Sequence, residues 1–461
     1  MKSAPPIFEH PPAAHPAATD QVSANQASAH RRISRLASLP LVHQAFRWLH
    51  LNEKRFCEWQ LAIIRVPAPP FQEQARAAWI LEEFTRIGLA NPHIDAEGNV
   101  IGEIAPENPS PTASDQPCVL LSAHIDTIFP AGTCCEPAQE GARIFAPGAC
   151  DNAAGVTALL ALAASLLRCD LRPACTLLFA ANVGEEGEGN LRGIRHIFER
   201  SPYRNRIAAT VALDGAGTES VVAQALGSRR YSVTLNGPGG HSWADAGRPN
   251  PIMVLCRALA TLGDVELPSN PRTTVNVGTI RGGNAVNSVP ESASAQIDIR
   301  STDAEQLVRT EVMLHRAVED AVAAANSALP KVSKPARIPG HAPLSFTIGK
   351  IGERPAATLP PDARILQSIR AVDRHLRLRT EMRLGSTDAN LPLSLGREAI
   401  SIGAGGSGGG IHTSKEWYDR TGRELALRRI LLLLLDLCDP ASQSAFLSEE
   451  EPLLHSPGGH P

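Results

Sequence analysis

Apolar positions along this chain follow two rhythms, and the change between them divides the molecule. Over residues 41–64 and 72–87 they recur at helical spacing, with Gly88 placed to cap the second helix. Short apolar runs then alternate with helical stretches: strands near Val119, Leu177 and Val211, and helices over 153–167 and near Ile194. That alternation predicts an α/β sheet sandwiched between helices. Near Arg229 the pattern turns to one-in-two alternation at 231–235. It continues as a helix over 251–262, strands over 273–280 and 294–299, a long helix over 304–325 and a strand over 343–351. These elements predict a four-stranded sheet backed by two helices, inserted over 228–352. The first domain then comprises 39–227 and 353–440, resuming with a helix over 362–376. Residues 1–38 are rich in Pro, Ala, Ser and His and lack periodic apolar positions, so they and the segment 441–461 are expected to be disordered tails.

Composition narrows the partners. With 461 residues, 43% of them hydrophobic and 20% charged, the chain has length enough for a large core in two domains. A net charge of -3 and a pI near 6.6 argue against nucleic acid or an anionic membrane as the main partner. No run of about 18 apolar residues predicts a membrane-spanning helix. The first residues lack the apolar core of a secretory signal. Nine cysteines without regular spacing suit reduced thiols. The expected location is cytoplasmic.

Five acidic or imidazole clusters carry the chemistry. His124 and Asp126 follow an apolar run, Asp151 sits in Gly-Ala-Cys-Asp-Asn, and Glu185-Glu186 lies between glycines after a strand. Asp214 ends the 209–213 run, and His412 follows a glycine run. Most of them fall where a strand gives way to a loop, the usual place for chemistry in α/β folds. Taken singly, each has a plainer explanation: a chance His-x-Asp pair, an N-cap at Asp151, a solvated acidic loop, a turn aspartate, an exposed loop histidine. Together they read as metal ligands, carboxylates and imidazoles sharing a bridging aspartate.

Their order resembles the metallopeptidase family that contains peptidase T, glutamate carboxypeptidase, aminoacylase-1 and succinyl-diaminopimelate desuccinylase. Ser-Ala-His124-Ile-Asp126-Thr, Gly-Ala-Cys-Asp151-Asn, Gly-Glu185-Glu186-Gly and Gly-Ile-His412-Thr carry the likeness, with Gly-Pro-Gly-Gly-His241-Ser, Asn287-Ser-Val-Pro and Asp-Ile-Arg300 in the insert. The resemblance implies a zinc-exopeptidase-like catalytic α/β/α sandwich with an inserted α+β, ferredoxin-like lid and dimerisation domain. It implies two zinc ions per chain, or manganese or cobalt. His124, Asp151 and Asp214 would hold one, and Asp151, Glu186 and His412 the other. Asp126 would orient His124, Glu185 would act as general base, and His241 would stabilise the oxyanion, reaching across from a second subunit of a homodimer. The Asp151-Asn152 peptide bond would be cis. Asn287, Arg300, Ser386 and Gly405 are the candidate substrate contacts. Asp214, where relatives carry Asp or Glu, points to aminopeptidases and tripeptidases acting on short peptides. An amidohydrolase of N-acyl amino acids, and an inactive scaffold, are the alternatives.

Overall fold

The computed structural model describes residues 16–106, 116–329 and 342–439. Its central sheet has nine strands. Three of them, Cys118–His124, Thr176–Asn182 and Ile207–Leu213, lie side by side and parallel, and all of their residues are buried. Apolar runs without alternation are what a strand covered on both faces requires. Glu398–Ile402 pairs parallel with Ile207–Leu213, so the segment after the insert completes the sheet begun before it. The helix Ala153–Arg168 packs against this sheet and beneath outer helices, with fourteen of its sixteen residues buried. An all-round apolar helix suits that middle position.

The insert is a βαββαβ unit. Its antiparallel sheet runs in the order Thr273–Gly282, Ser292–Ser301, Gly227–Asn236, Ser345–Arg354. Helices Pro251–Gly263 and Ala304–Ser327 pack on one face. Tyr231, Val233 and Leu235 alternate inward with Ala295, Ile297 and Ile299 to form a second core. The α/β/α sandwich and its ferredoxin-like insert are therefore both present. The last lid strand runs through Arg354, two residues past the expected boundary, and that arginine is buried.

The expected N-terminal tail needs correction. Residues 16–37 form a helix, Pro16–Ala37, in which Ala29, Ile33 and Ala37 are buried in the main core. Arg32 donates from Nε and Nη2 to the Asp436 carboxylate at 2.8 and 3.1 Å, tying this helix to the final one, Arg423–Leu437. Alanine-rich sequence with only a few larger apolar residues gives a weak periodic signal; the packing surface supplied by the C-terminal helices is what makes it a helix. The calls on 1–15 and 441–461 lie outside the described residues. The helix expected over 41–64 is two, Pro40–Leu51 and Glu53–Arg65, broken at Asn52. Ile33→Ala is expected to destabilise the protein by about 2–4 kcal/mol, read from the midpoint of chemical denaturation. An unchanged midpoint would detach this helix from the core.

Candidate metal centre

Parallel strands end on one side of the sheet, and each delivers part of the cluster there. His124 is the last residue of Cys118–His124, Asp214 follows Ile207–Leu213, and Glu185 and Glu186 follow Thr176–Asn182. Asp151 precedes the buried helix, and His412 arrives on the loop between Ser407–Gly409 and Trp417–Asp419. That loop is brought in by a small sheet in which Trp417–Asp419 pairs with Arg143–Phe145.

Two sets of ligand atoms converge, His124 with Asp151 and Asp214, and Asp151 with Glu186 and His412, each within 4.8 Å. Asp151 divides its oxygens between them. Oδ1 lies 3.1 Å from His124 Nε2, and Oδ2 lies 3.1 Å from His412 Nε2. Asp214 Oδ1 stands 3.7 Å from His124 Nε2, and Glu186 Oε1 stands 3.1 Å from His412 Nε2. The Asp151-Asn152 peptide bond is cis. Asn152, not Asp151, caps the helix: its Oδ1 accepts from the Gly155 amide at 3.1 Å and the Gly215 amide at 3.2 Å. Its Nδ2 donates to the Leu213 carbonyl at 2.9 Å, fixing Asp151 and Asp214 relative to each other.

Asp126 does more than orient His124. The His124 Nδ1–H faces the Asp126 backbone carbonyl at 3.2 Å, which leaves Nε2 directed at Asp151 and Asp214. The buried Asp126 carboxylate accepts the amides of Glu185 at 3.0 Å and Glu186 at 2.8 Å. Glu416, absent from the expected set, does the same for the bridging aspartate. Its oxygens accept the amides of Gly148 at 3.0 Å, Cys150 at 2.8 Å and Asp151 at 2.9 Å. Glu416 lies four residues after His412, so one short loop carries a ligand and the clamp on its partner.

The charge balance fits divalent cations. Asp126, Asp151, Glu185, Glu186, Asp214 and Asp388 crowd together, while the guanidiniums among them are Arg354 on Glu185 and Arg76 beside Asp126. Burial pushes the Glu185 carboxyl well above the usual range, and Arg354 offsets this only in part. Burial likewise raises Glu186, and takes Asp388 to about 6. The Asp151 carboxylate, with Glu186, draws His412 up to about 10, and His124 rises too, because its carboxylate neighbours outweigh its burial. The carboxylates and imidazoles of each trio are a donor set that a divalent cation would suit.

The other expected residues divide. His241 and Asn287 come together where Gly240–His241 pairs with Ser288–Val289, both side chains exposed on the lid. His241 Nδ1 accepts from the amides of Trp243 and Ala244 at 3.2 and 3.3 Å, so in the neutral ring Nε2 carries the proton. Ser386 lies beside the cluster, its Oγ 3.3 Å from the Arg354 guanidinium. The two remaining candidates already have close neighbours. Arg300 donates from Nε to Asp298 of its own strand at 2.6 Å. Gly405 is buried at φ 86, and a Cβ there would meet Ala426 and Arg423 within 2.8 Å, so close packing against the last helix explains it. A cavity of about 200 Å³ opens beside Asp151 and Asp214, lined by Ala216, Val222, Ile402 and Ile411 with Ser220 and Thr387. A larger one, about 530 Å³, lies behind Glu416, and none of the ligands lines it.

Carboxylates and imidazoles converging at parallel strand ends place the molecule among metal-dependent hydrolases. Residues 120–436 match the model of peptidase family M20/M25/M40, and the chain belongs to that family. A probable carboxypeptidase of Paracoccidioides brasiliensis is 31% identical over 225 residues, 44% of this chain and 50% of the relative. The chain thus spans about half the length of the curated relatives it matches. Among solved structures, a tripeptidase from Staphylococcus aureus superposes with a TM-score of 0.66 at 18% identity, over 84% of this chain and 99% of the other. A dinuclear metal-binding peptidase from Bacillus subtilis superposes with a TM-score of 0.60 at 15% identity, over 84% and 98%.

Replacing Glu416 by alanine leaves three amides beside Asp151 without acceptors. Glu416→Ala is expected to cost about 3 kcal/mol or more, measured by chemical denaturation, with Glu416→Gln milder. A loss below about 1 kcal/mol would show that water replaces the carboxylate easily.

Proposed function

We propose that this protein hydrolyses the peptide bond of short peptides, releasing the N-terminal residue, with two divalent ions that the trios sharing Asp151 would hold. The observation that carries this reading is the division of the Asp151 oxygens between two imidazole-bearing trios, with the unligated Glu185 beside them. His124, Asp151 and Asp214 would hold one ion, and Asp151, Glu186 and His412 the other; zinc, manganese and cobalt all suit this nitrogen and oxygen donor set. When bound, such ions polarise the scissile carbonyl and acidify water. Glu185 takes the proton of the attacking water and returns it to the leaving amine. Asp126 fixes the Glu185 and Glu186 amides, and so the aim of both side chains.

The cavity beside Asp214 has no charged group apart from the ligands themselves, which favours an uncharged side chain on the residue being released. The naming of the fungal relatives supports a second reading, carboxypeptidase-type cleavage. A screen of metal-loaded protein on di- and tripeptides, blocked peptides and N-acetyl amino acids separates these. Cleavage of N-acetyl amino acids alone would overturn the peptidase reading. On the best substrate, Glu185→Ala is expected to lower kcat by about 10²–10⁴-fold while elemental analysis still finds two ions per chain. Loss of both ions would reverse the roles of the two glutamates.

His241, with Nε2 as donor, is the proposed oxyanion partner, acting from a second subunit. Exposed Val277 and Ile280 on the edge strand Thr273–Gly282 support pairing of two lids into a homodimer. Among the described residues no two cysteines form a disulfide, which supports a reducing, cytoplasmic location. None of the described helices is long and apolar enough to cross a membrane. His241→Ala should lower kcat at least about 100-fold with little change in KM. Normal kcat would remove His241 from the mechanism.

A further inference from the structure

The segment that carries Glu185 and Glu186 has little structure of its own. Between the strand Thr176–Asn182 and the helix Arg192–Glu199 its only regular element is the single turn Gly187–Gly189. Asn190 and Leu191 both take positive φ, 54° and 61°, a conformation costing about 1 kcal/mol or more for each. Such a segment keeps its shape through what holds it from outside.

It is held from two sides by two domains. The catalytic domain takes the amides, through the Asp126 carboxylate on Glu185 and Glu186. The lid takes the carbonyls. Arg354, the last residue of the final lid strand, donates from Nη2 to the Glu185 carbonyl and from Nη1 to Glu185 Oε1 at 2.7 Å. Arg230, on the neighbouring lid strand, donates to the Gly187 carbonyl at 3.1 Å. The Glu353 amide donates to Asn190 Oδ1 at 2.7 Å. Arg354 is itself steadied by the Ser386 carbonyl at 3.2 Å, and its side chain is 8% exposed. A guanidinium this deep, set on both the backbone and the carboxylate of one residue, fixes direction as well as charge.

We propose that Arg354 is a positioning residue for the base and that, with Arg230, it makes the lid the second support of the Glu185–Gly187 segment, so that the aim of the Glu185 carboxylate follows the position of the lid. The proposal rests on the reading of Glu185 as general base. It also gives lid motion a route to the chemistry that does not pass through the metal ligands.

The test is a double-mutant cycle on the metal-loaded, full-length protein, with its best peptide from the screen. Arg354→Met is expected to lower kcat by about 30-fold or more with KM changed less than about 3-fold, because the loss falls on the reacting geometry. Two bound ions should remain by elemental analysis, and Arg354→Lys should recover part of the rate. In a Glu185→Gln background, Arg354→Met should cost less than about 2-fold further. Arg230→Met should give a smaller loss of kcat that also vanishes in that background, and it carries the test if Arg354→Met does not fold. An equal loss in both backgrounds, or an effect on KM alone, would overturn the proposal. So would full activity of Arg354→Met beside an inactive Glu185→Gln. A fully active Glu185→Gln would overturn the base assignment, and the proposal with it.

Discussion

Buried negative charge is the constraint on which the rest of this structure depends. Three parallel strands end together, and the chain has set carboxylates at those ends where burial alone would keep them protonated. Each remedy is visible as a contact: backbone amides on Asp126 and Glu416, guanidinium on Glu185, and imidazole facing both oxygens of Asp151. What these leave over is a pair of trios suited to divalent cations. The fold delivers the trios by the sheet and holds them by a ring of buried acceptors around the ligands.

Much of this was legible because the residues concerned obey local rules. Continuous apolar runs marked the central strands, alternation marked the lid sheet, and the position of each acidic cluster after a strand placed it at the sheet's end. The candidate ligand set could be proposed because its members are ionisable residues in unusual settings, between glycines or after a buried strand. Less visible were residues whose role depends on a distant partner. Arg354 is one arginine in a half-exposed strand, 169 positions from Glu185, and no spacing betrays their contact. Glu416 had a faint signal in its distance from His412, but its three amide partners lie about 266 residues away. The Pro16–Ala37 helix was missed because its apolar residues are mostly alanines, and packing rather than pattern decides its state.

The same logic bears on two of the candidate substrate contacts. Arg300 and Gly405 sit in motifs of the right type, but Asp298 satisfies the first and the last helix needs the second to lack a side chain. Motif position alone says which residue types are present; the neighbours say whether a group is free. His241 differs from both, since only one ring nitrogen is occupied and the other carries its proton outward.

The order of the ligands along the chain has a consequence for how the centre comes into being. His124, Asp151 and Asp214 precede the lid, whereas His412 follows it, 261 residues after Asp151. On a ribosome the first trio is complete while the second still lacks its imidazole, and the whole Gly227–Arg354 insert must emerge in between. The strand Glu398–Ile402 and the Glu416 clamp emerge in the same late stretch. The nascent protein therefore passes through a stage with one finished trio, an open sheet edge and an unclamped Asp151. The second trio can assemble only once His412 has emerged.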